Sequence, residues 1–426
     1  MTQARPTRIL MVTRNLPPLV GGMERLNWHM ADELSKAAEI RVIGPEGSAT
    51  LAPGGIDVCE APLKPLWKFL LRARALARRE ARQWKPDVVL AGSGLTAPIA
   101  RAAARACGAK IAVYVHGLDV AVKHPVYRAL WLPAIRGADR VIANSRATAR
   151  LCSDIGVQAD RIGIVHPGVD LPDESAPGPQ NGSGEGTRAQ AAAREDVLSS
   201  TTHSSVVIPG RPAGPNPESS FLQPRAAEFR AQHNLGSGPI LLSVGRLSAR
   251  KGLREFVVGA LPRIVAAHPD AVLLIVGDAP SQALHAEAQT PASIQTAAEA
   301  AGVGGHVRFF GKLPEAELLD AYQSADLHVF PIRHIPGDPE GFGMVAVEAA
   351  AHGLPTIAFA TGGVIDAVAE GVSGYLVEPG DYAAFADTVI TALDQREALR
   401  APCIEFALQF AWPEFGAQIV RQLGLA

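Results

Sequence analysis

Residues 8–43 read RILMVTRNLPPLVGGMERLNWHMADELSKAAEIRVI. The run Arg8–Thr13 is short and apolar, as a buried strand requires. Gly21-Gly22 interrupts the chain, and Met23, Leu26, Met30 and Leu34 then recur at helical spacing within Met23–Ala37. A second apolar strand follows at Glu39–Ile43. A strand, a helix and a strand in so short a stretch form the unit from which parallel sheets are built.

The same alternation extends outward. Further strands are expected at Asp87–Ala91, Lys110–Val115, Arg140–Ala143 and Arg161–Val165. Helical runs lie at Pro65–Trp84, Thr96–Cys107, Pro125–Arg136 and Ser145–Ile155. From Leu171 to Pro224 the rhythm stops, and GPQNGSGEGTRAQAAAR and IPGRPAGPNPESS read as linker or insertion. It restarts with strands at Ile240–Val244, Ala271–Val276, His306–Phe310, Asp326–Phe330 and Thr356–Ala360. The expectation is an α/β chain with two Rossmann-like, doubly wound parallel-sheet domains facing a deep cleft. Residues 1–170 would form an N-terminal domain, 171–225 a Pro/Gly/Ser-rich insertion and 226–402 a C-terminal domain. The helical segment 403–426 packs back toward the first.

At 426 residues the chain is long for one core, and a net charge of −2 gives no argument for nucleic acid binding. Four cysteines with no CxxC pair suit buried thiols in a reducing cytosol. The short apolar run before Arg14 reads as neither a signal peptide nor a membrane span. The localisation expected is cytoplasmic, peripheral at the inner face of the cell membrane.

Ligands of parallel sheets sit beyond the carboxyl ends of strands, so residues there carry most weight. PEGFGMVAVEAAAHGLP, residues 339–355, places Glu340 and Glu348 eight positions apart around the turn Gly341-Phe342-Gly343, which opens a helix. Eight residues rise roughly 12 Å on a helix, about the span from the ribose to the far sugar of a nucleotide-sugar. The helix start would face the diphosphate with free N–H groups and the positive end of its dipole. Two solvated glutamates are the alternative reading. Gly21 and Gly22 end the first strand and let backbone amides approach an anion. His116 ends the fourth expected strand, followed by Gly117. Arg246 and Lys251 lie in a strand-to-helix loop and suit a diphosphate leaving group.

Gly92-Ser-Gly94-Leu-Thr-Ala97 matches a dinucleotide fingerprint, but it lies well inside the domain and Asp119 is the only acid near the expected distance. No organic cofactor is expected. There is no Asp-x-Asp pair and no His/Cys/carboxylate cluster at ligand spacing, so no metal is expected either.

Together these residues resemble the retaining glycosyltransferases of family 4, which have the GT-B architecture. The shared features are Gly21-Gly22, HGLD at His116–Asp119, ANS ending at Asn144-Ser145, GRL…RKG over Gly245–Gly252, Gly277-Asp278, the E-x7-E pair, and the GLP and TGG (Thr361–Gly363) that follow it. The Leu171–Pro224 stretch departs from the family. The resemblance implies that Glu348 holds the donor ribose hydroxyls. It implies that Glu340 and the amides of Phe342, Gly343 and Met344 hold the transferred sugar and its phosphate. Arg246 and Lys251 would stabilise the departing diphosphate, Gly22 would add an amide from the other domain, and His116 would lie near the anomeric carbon. The implied reaction is metal-independent hexosyl transfer with retention, from a nucleotide-diphospho-sugar to a lipid-linked or polysaccharide acceptor, with residues 1–170 as the acceptor-side domain and 226–402 as the nucleotide-sugar-binding domain. Of the donors, DPEGFG and PIRHIPGD favour GDP-mannose over a UDP-hexose. A catalytically silent subunit supporting a partner transferase and a sugar-nucleotide epimerase are the alternatives.

Residues 64–85 carry Lys64, Lys68, Arg72, Arg74, Arg78, Arg79, Arg82 and Lys85 against one acid, Glu80. On a helix these cations fall on one broad arc, with Leu66, Phe69, Leu70, Leu76 and Trp84 turned largely away and Trp67 and Leu71 beside them. Such a face suits an anionic membrane surface or, more simply, a solvated helix packed on its sheet.

Overall fold

The computed structural model describes residues 5–172, 219–279 and 289–425. Most of the expected insertion at 171–225 lies outside them. Two parallel sheets form, each covered by helices. The first contains β1 (Arg8–Val12), β2 (Glu39–Pro45), β3 (Asp57–Ala61), β4 (Val88–Ala91), β5 (Lys110–Val115), β6 (Arg140–Ala143) and β7 (Ile162–Ile164), in the order β3-β2-β1-β4-β5-β6-β7. The second contains β8 (Ile240–Val244), β9 (Val272–Val276), β10 (Val307–Gly311), β11 (Leu327–Phe330), β12 (Thr356–Phe359) and β13 (Gly374–Val377), in the order β10-β9-β8-β11-β12-β13.

Each sheet reverses its winding beside its first strand. Ile9 of β1 faces Ile40 of β2 on one side and Val88 of β4 on the other, and β8 lies likewise between β9 and β11. At these switch points the loops diverge to opposite faces and leave a crevice at the carboxyl ends. The central strands are continuous apolar runs because helices bury both faces.

Two strands were not foreseen. β3 is DVCEA and β13 is GYLV, both at sheet edges and partly exposed, so neither shows a buried-strand pattern. With β3 present, the strand ending at His116 is the fifth, not the fourth. The helix expected over Pro125–Arg136 is two helices, Pro125–Leu130 and Leu132–Arg136, broken at Trp131, two residues before Pro133.

The chain crosses between the domains twice, at adjacent places. Val169 N donates to Phe410 O at 2.8 Å, beside a bridge between Val169 and Ala411. The helix Tyr382–Leu408 runs through the boundary expected at 402, and Cys403 and Ala407 stay in the second domain's core. The helix Trp412–Leu423 then packs on the helix Gly22–Ser35, with Trp412, Phe415 and Ile419 joining Ile9, Met11, Leu26 and Met30 in one core.

Candidate functional site

The helix Met344–Ala351 begins after Gly343, whose φ of +96° is open to glycine without strain. A Cβ there would also lie 3.0 Å from the Phe330 ring. The turn at the helix start thus requires a glycine. Phe342 is buried against His166 of the first domain, with ring centroids 5.1 Å apart.

Glu340 lies just before this turn. Its side chain is 12% exposed, with Lys251 Nζ and Arg250 Nε both at 3.2 Å. Burial alone would raise its carboxyl, but Lys251 and Arg250 overcome that and hold it below its ordinary value. Lys251 lies over the Phe330 ring at 4.4 Å, a cation–π contact. Burial pushes its ammonium down, and Arg250 and Arg246 add to this against the pull of Glu340. Arg246 is exposed at the mouth of the same loop. Arg250 was missed by the sequence reading. It pairs with Asp338 and reaches Pro339 O at 3.3 Å, so it fixes the loop that carries Glu340. Its place directly before Lys251 was the available signal.

Glu348 lies four residues into the same helix. Its carboxylate meets the Arg25 guanidinium from the first domain and accepts from Tyr322 Oη at 3.3 Å. Neither partner was foreseen, since each lies far from Glu348 in the chain. Gly22 is the first residue of its helix, and a Cβ on it would lie 3.4 Å from Met344 Sδ. The two glycine turns therefore face each other across the crevice.

His116 precedes the helix Gly117–Ala121, and its backbone N donates to Asp119 at 3.0 Å. The ring is buried against Tyr114, with Nε2 unpartnered among the described residues. Burial lowers its pKa below the ordinary value, so it is neutral at pH 7. An added Cβ at Gly117 would lie 3.3 Å from Pro339 and 3.4 Å from Gly341, so the residue after His116 lies against the loop that holds Glu340. Arg146 of the first domain clasps Asp366 of the second, and its backbone N donates to that carboxylate at 2.6 Å.

Among the described residues no group of three or more metal-ligating side chains occurs, and no helix is long and apolar enough to cross a membrane. On the helix Leu66–Trp84, Phe69, Ala73, Leu76, Ala77 and Ala81 are buried. The basic residues Lys68, Arg72, Arg74, Arg78, Arg79 and Arg82 are exposed, together with Trp67 (59%) and Leu71 (63%). Leu66, expected on the apolar side, is exposed too. Glu80 is buried and pairs with Arg41 at 2.9 Å.

Residues 225–410 match the family model for glycosyl transferases group 1, and residues 20–172 match that for glycosyltransferase family 4. The chain is 31% identical over 347 residues to D-inositol 3-phosphate glycosyltransferase 1 of Catenulispora acidiphila, covering 77% of this chain and 69% of that protein. Further D-inositol 3-phosphate glycosyltransferases are matched over 54% of their length. It is 28% identical to the GDP-mannose-dependent alpha-(1-6)-phosphatidylinositol monomannoside mannosyltransferase of Mycolicibacterium smegmatis, over 90% of this chain and 88% of that one. Among solved structures, Anabaena HepE in complex with UDP and glucose superposes with a TM-score of 0.71 at 19% identity, over 99% of this chain and 100% of that one. That likeness gives the fold. By its family matches and its relatives, the chain belongs to the group 1, family 4 glycosyltransferases.

Proposed function

We propose that this glycosyltransferase moves a hexosyl group, with retention, from GDP-mannose in preference to a UDP-hexose, to a lipid-linked or saccharide acceptor. The observation that carries the reading is the arrangement at one helix start. Glu340 lies before it with Lys251 and Arg250, and Glu348 lies within it. The likeness to a mannosyltransferase named as GDP-mannose-dependent supports the donor and a phosphoinositide-type acceptor.

In this reading Glu348 holds the ribose hydroxyls. The amides of Phe342, Gly343 and Met344 and that of Gly22 take the phosphates, and Glu340 takes the sugar. Arg246 and Lys251 stabilise charge as the bond from the anomeric carbon to the phosphate oxygen breaks. The acceptor oxygen attacks from the same face, and its proton passes to the leaving phosphate. His116, neutral and beside the donor loop, offers Nε2 to the sugar. Two cations, Arg246 and Lys251, and a helix end supply fixed charge complementary to the diphosphate, so no metal is required by this reading. The acceptor domain also offers a basic face with Trp67 and Leu71 exposed, suited to an anionic membrane surface that would present a lipid-linked acceptor.

A thermal-shift comparison of GDP, UDP and ADP tests the donor, since a ligand bound only by the folded state raises Tm. GDP should give the largest shift, and GDP-mannose should then be turned over to an α-linked product seen by NMR. A larger shift with UDP or ADP, or a β-linked product, would sink the proposal.

A further inference from the structure

Both oxygens of the Glu348 carboxylate already have partners, Arg25 on one and Tyr322 on the other. Arg25 comes from the opposite domain, on the helix Gly22–Ser35. A second amino group of its guanidinium lies 3.6 Å from Asp170, and its Nε is buried without a partner among the described residues. Asp170 belongs to the first domain crossing. It accepts from Trp412 Nε1, at the second crossing, at 2.7 Å. His29 stacks on that indole with centroids 3.9 Å apart. One guanidinium thus joins the ribose subsite to both crossing segments.

We propose that Arg25 is a positioning residue that competes with the donor's ribose hydroxyls for Glu348, so that donor binding exchanges an interdomain ion pair for a protein–ribose contact. The proposal rests on the reading of Glu348 as the ribose ligand. Arg25, once displaced, has Asp170 within reach, so its charge is not stranded. Tyr322 is not charged and can remain on Glu348. The competition sets donor affinity without Arg25 touching the reacting atoms.

Isothermal titration of the full chain with UDP, GDP and ADP, each beside its 2′,3′-dideoxy counterpart, tests this. Arg25→Met keeps the apolar stem and removes the charge. It should bind a ribonucleotide about two- to fivefold more tightly than the wild type, as loss of a partly exposed competing ion pair implies. It should leave affinity for the dideoxy form unchanged. Arg25→Lys should restore wild-type affinity. Asp170→Asn, which leaves Arg25 wholly to Glu348, should weaken ribonucleotide binding and gives an independent readout if Arg25→Met does not fold. Equal or weaker binding by Arg25→Met, or binding by neither protein, overturns the proposal, as does tighter binding by Asp170→Asn. Glu348→Ala, which leaves no acceptor for the ribose hydroxyls, separates the two readings. If it abolishes the preference for ribose over dideoxyribose, Glu348 is the ribose ligand, and a failed Arg25 result falls on this proposal alone. If the preference survives, the Glu348 assignment itself is wrong.

Discussion

Lys251 Nζ lies 3.2 Å from the Glu340 carboxylate and 4.4 Å from the Phe330 ring centroid, so one largely buried cation joins that carboxylate to the end of strand β11. In the proposed reading this charge stabilises the departing diphosphate.

Lys251→Ala should therefore lower kcat on the order of 10²- to 10³-fold, the loss typical for a preorganised group that stabilises transition-state charge. Arg250 still pairs with Glu340, so the fold should survive with a reduced Tm. Steady-state kinetics of nucleoside diphosphate release would check this. A change confined to KM would move Lys251 from leaving-group stabilisation to ground-state binding.

Acid stability follows from two histidines, His328, which is buried, and His352, which is half-buried. Burial, with the charge of Lys251, depresses His328 to about 3, and burial beside Arg400 depresses His352 to about 4, from an ordinary value of 6.5. Both are neutral in the fold and would take up a proton on unfolding below pH 6.5. Their contribution is full above that pH and is lost as pH falls toward the folded values, at about 1.4 kcal/mol per pH unit each. Urea unfolding at pH 7.5 and 5.5 measures the slope. Because that interval straddles 6.5, His328→Gln or His352→Gln should each reduce the mean slope by about half a proton, and an unchanged slope would show that the histidine titrates normally in the fold.

The Arg146–Asp366 clasp is the next test. The Asp366 side chain is 1% exposed and serves both the guanidinium and the backbone amide of Arg146. Asp366→Ala removes both contacts and should cost about 1–2 kcal/mol, while Arg146→Ala keeps the amide contact and should cost less. Small-angle scattering should show a larger radius of gyration for Asp366→Ala. An unchanged radius would mean that the crossings alone hold the domains.

Sedimentation with phosphatidylglycerol vesicles addresses the basic face. The wild type should co-sediment at low salt and release as salt screens the charges. The combined substitution of Arg72, Arg78, Arg79 and Arg82 by Glu should abolish binding, and binding that survives it would exclude this face.

Much of this was legible in the chain, because some information is local. Apolar runs at strand length and Leu26, Met30 and Leu34 at helical spacing specify which segments are strands and helices, since solvent exclusion acts on each segment's own pattern. Gly343 marks a turn because its backbone angle excludes a side chain. The edge strands at Asp57–Ala61 and Gly374–Val377 escaped because partial exposure erases the pattern. The long-range partners could not be read from the sequence. Glu348 showed its spacing from Glu340, but Arg25 reaches it only because the two domains bring their sheets' carboxyl ends together, and Tyr322 only because the helix Glu315–Ser324 packs beside it. Arg250 and Arg246 look equivalent in a loop, and only burial separates the cation held on Glu340 from the one left in solvent. Local sequence determined the elements and the residue types at strand ends, through steric and solvation preferences that act over a few residues. Tertiary structure decided which charges are paired, because pairing depends on distance in space and on the loss of water between groups far apart in the chain.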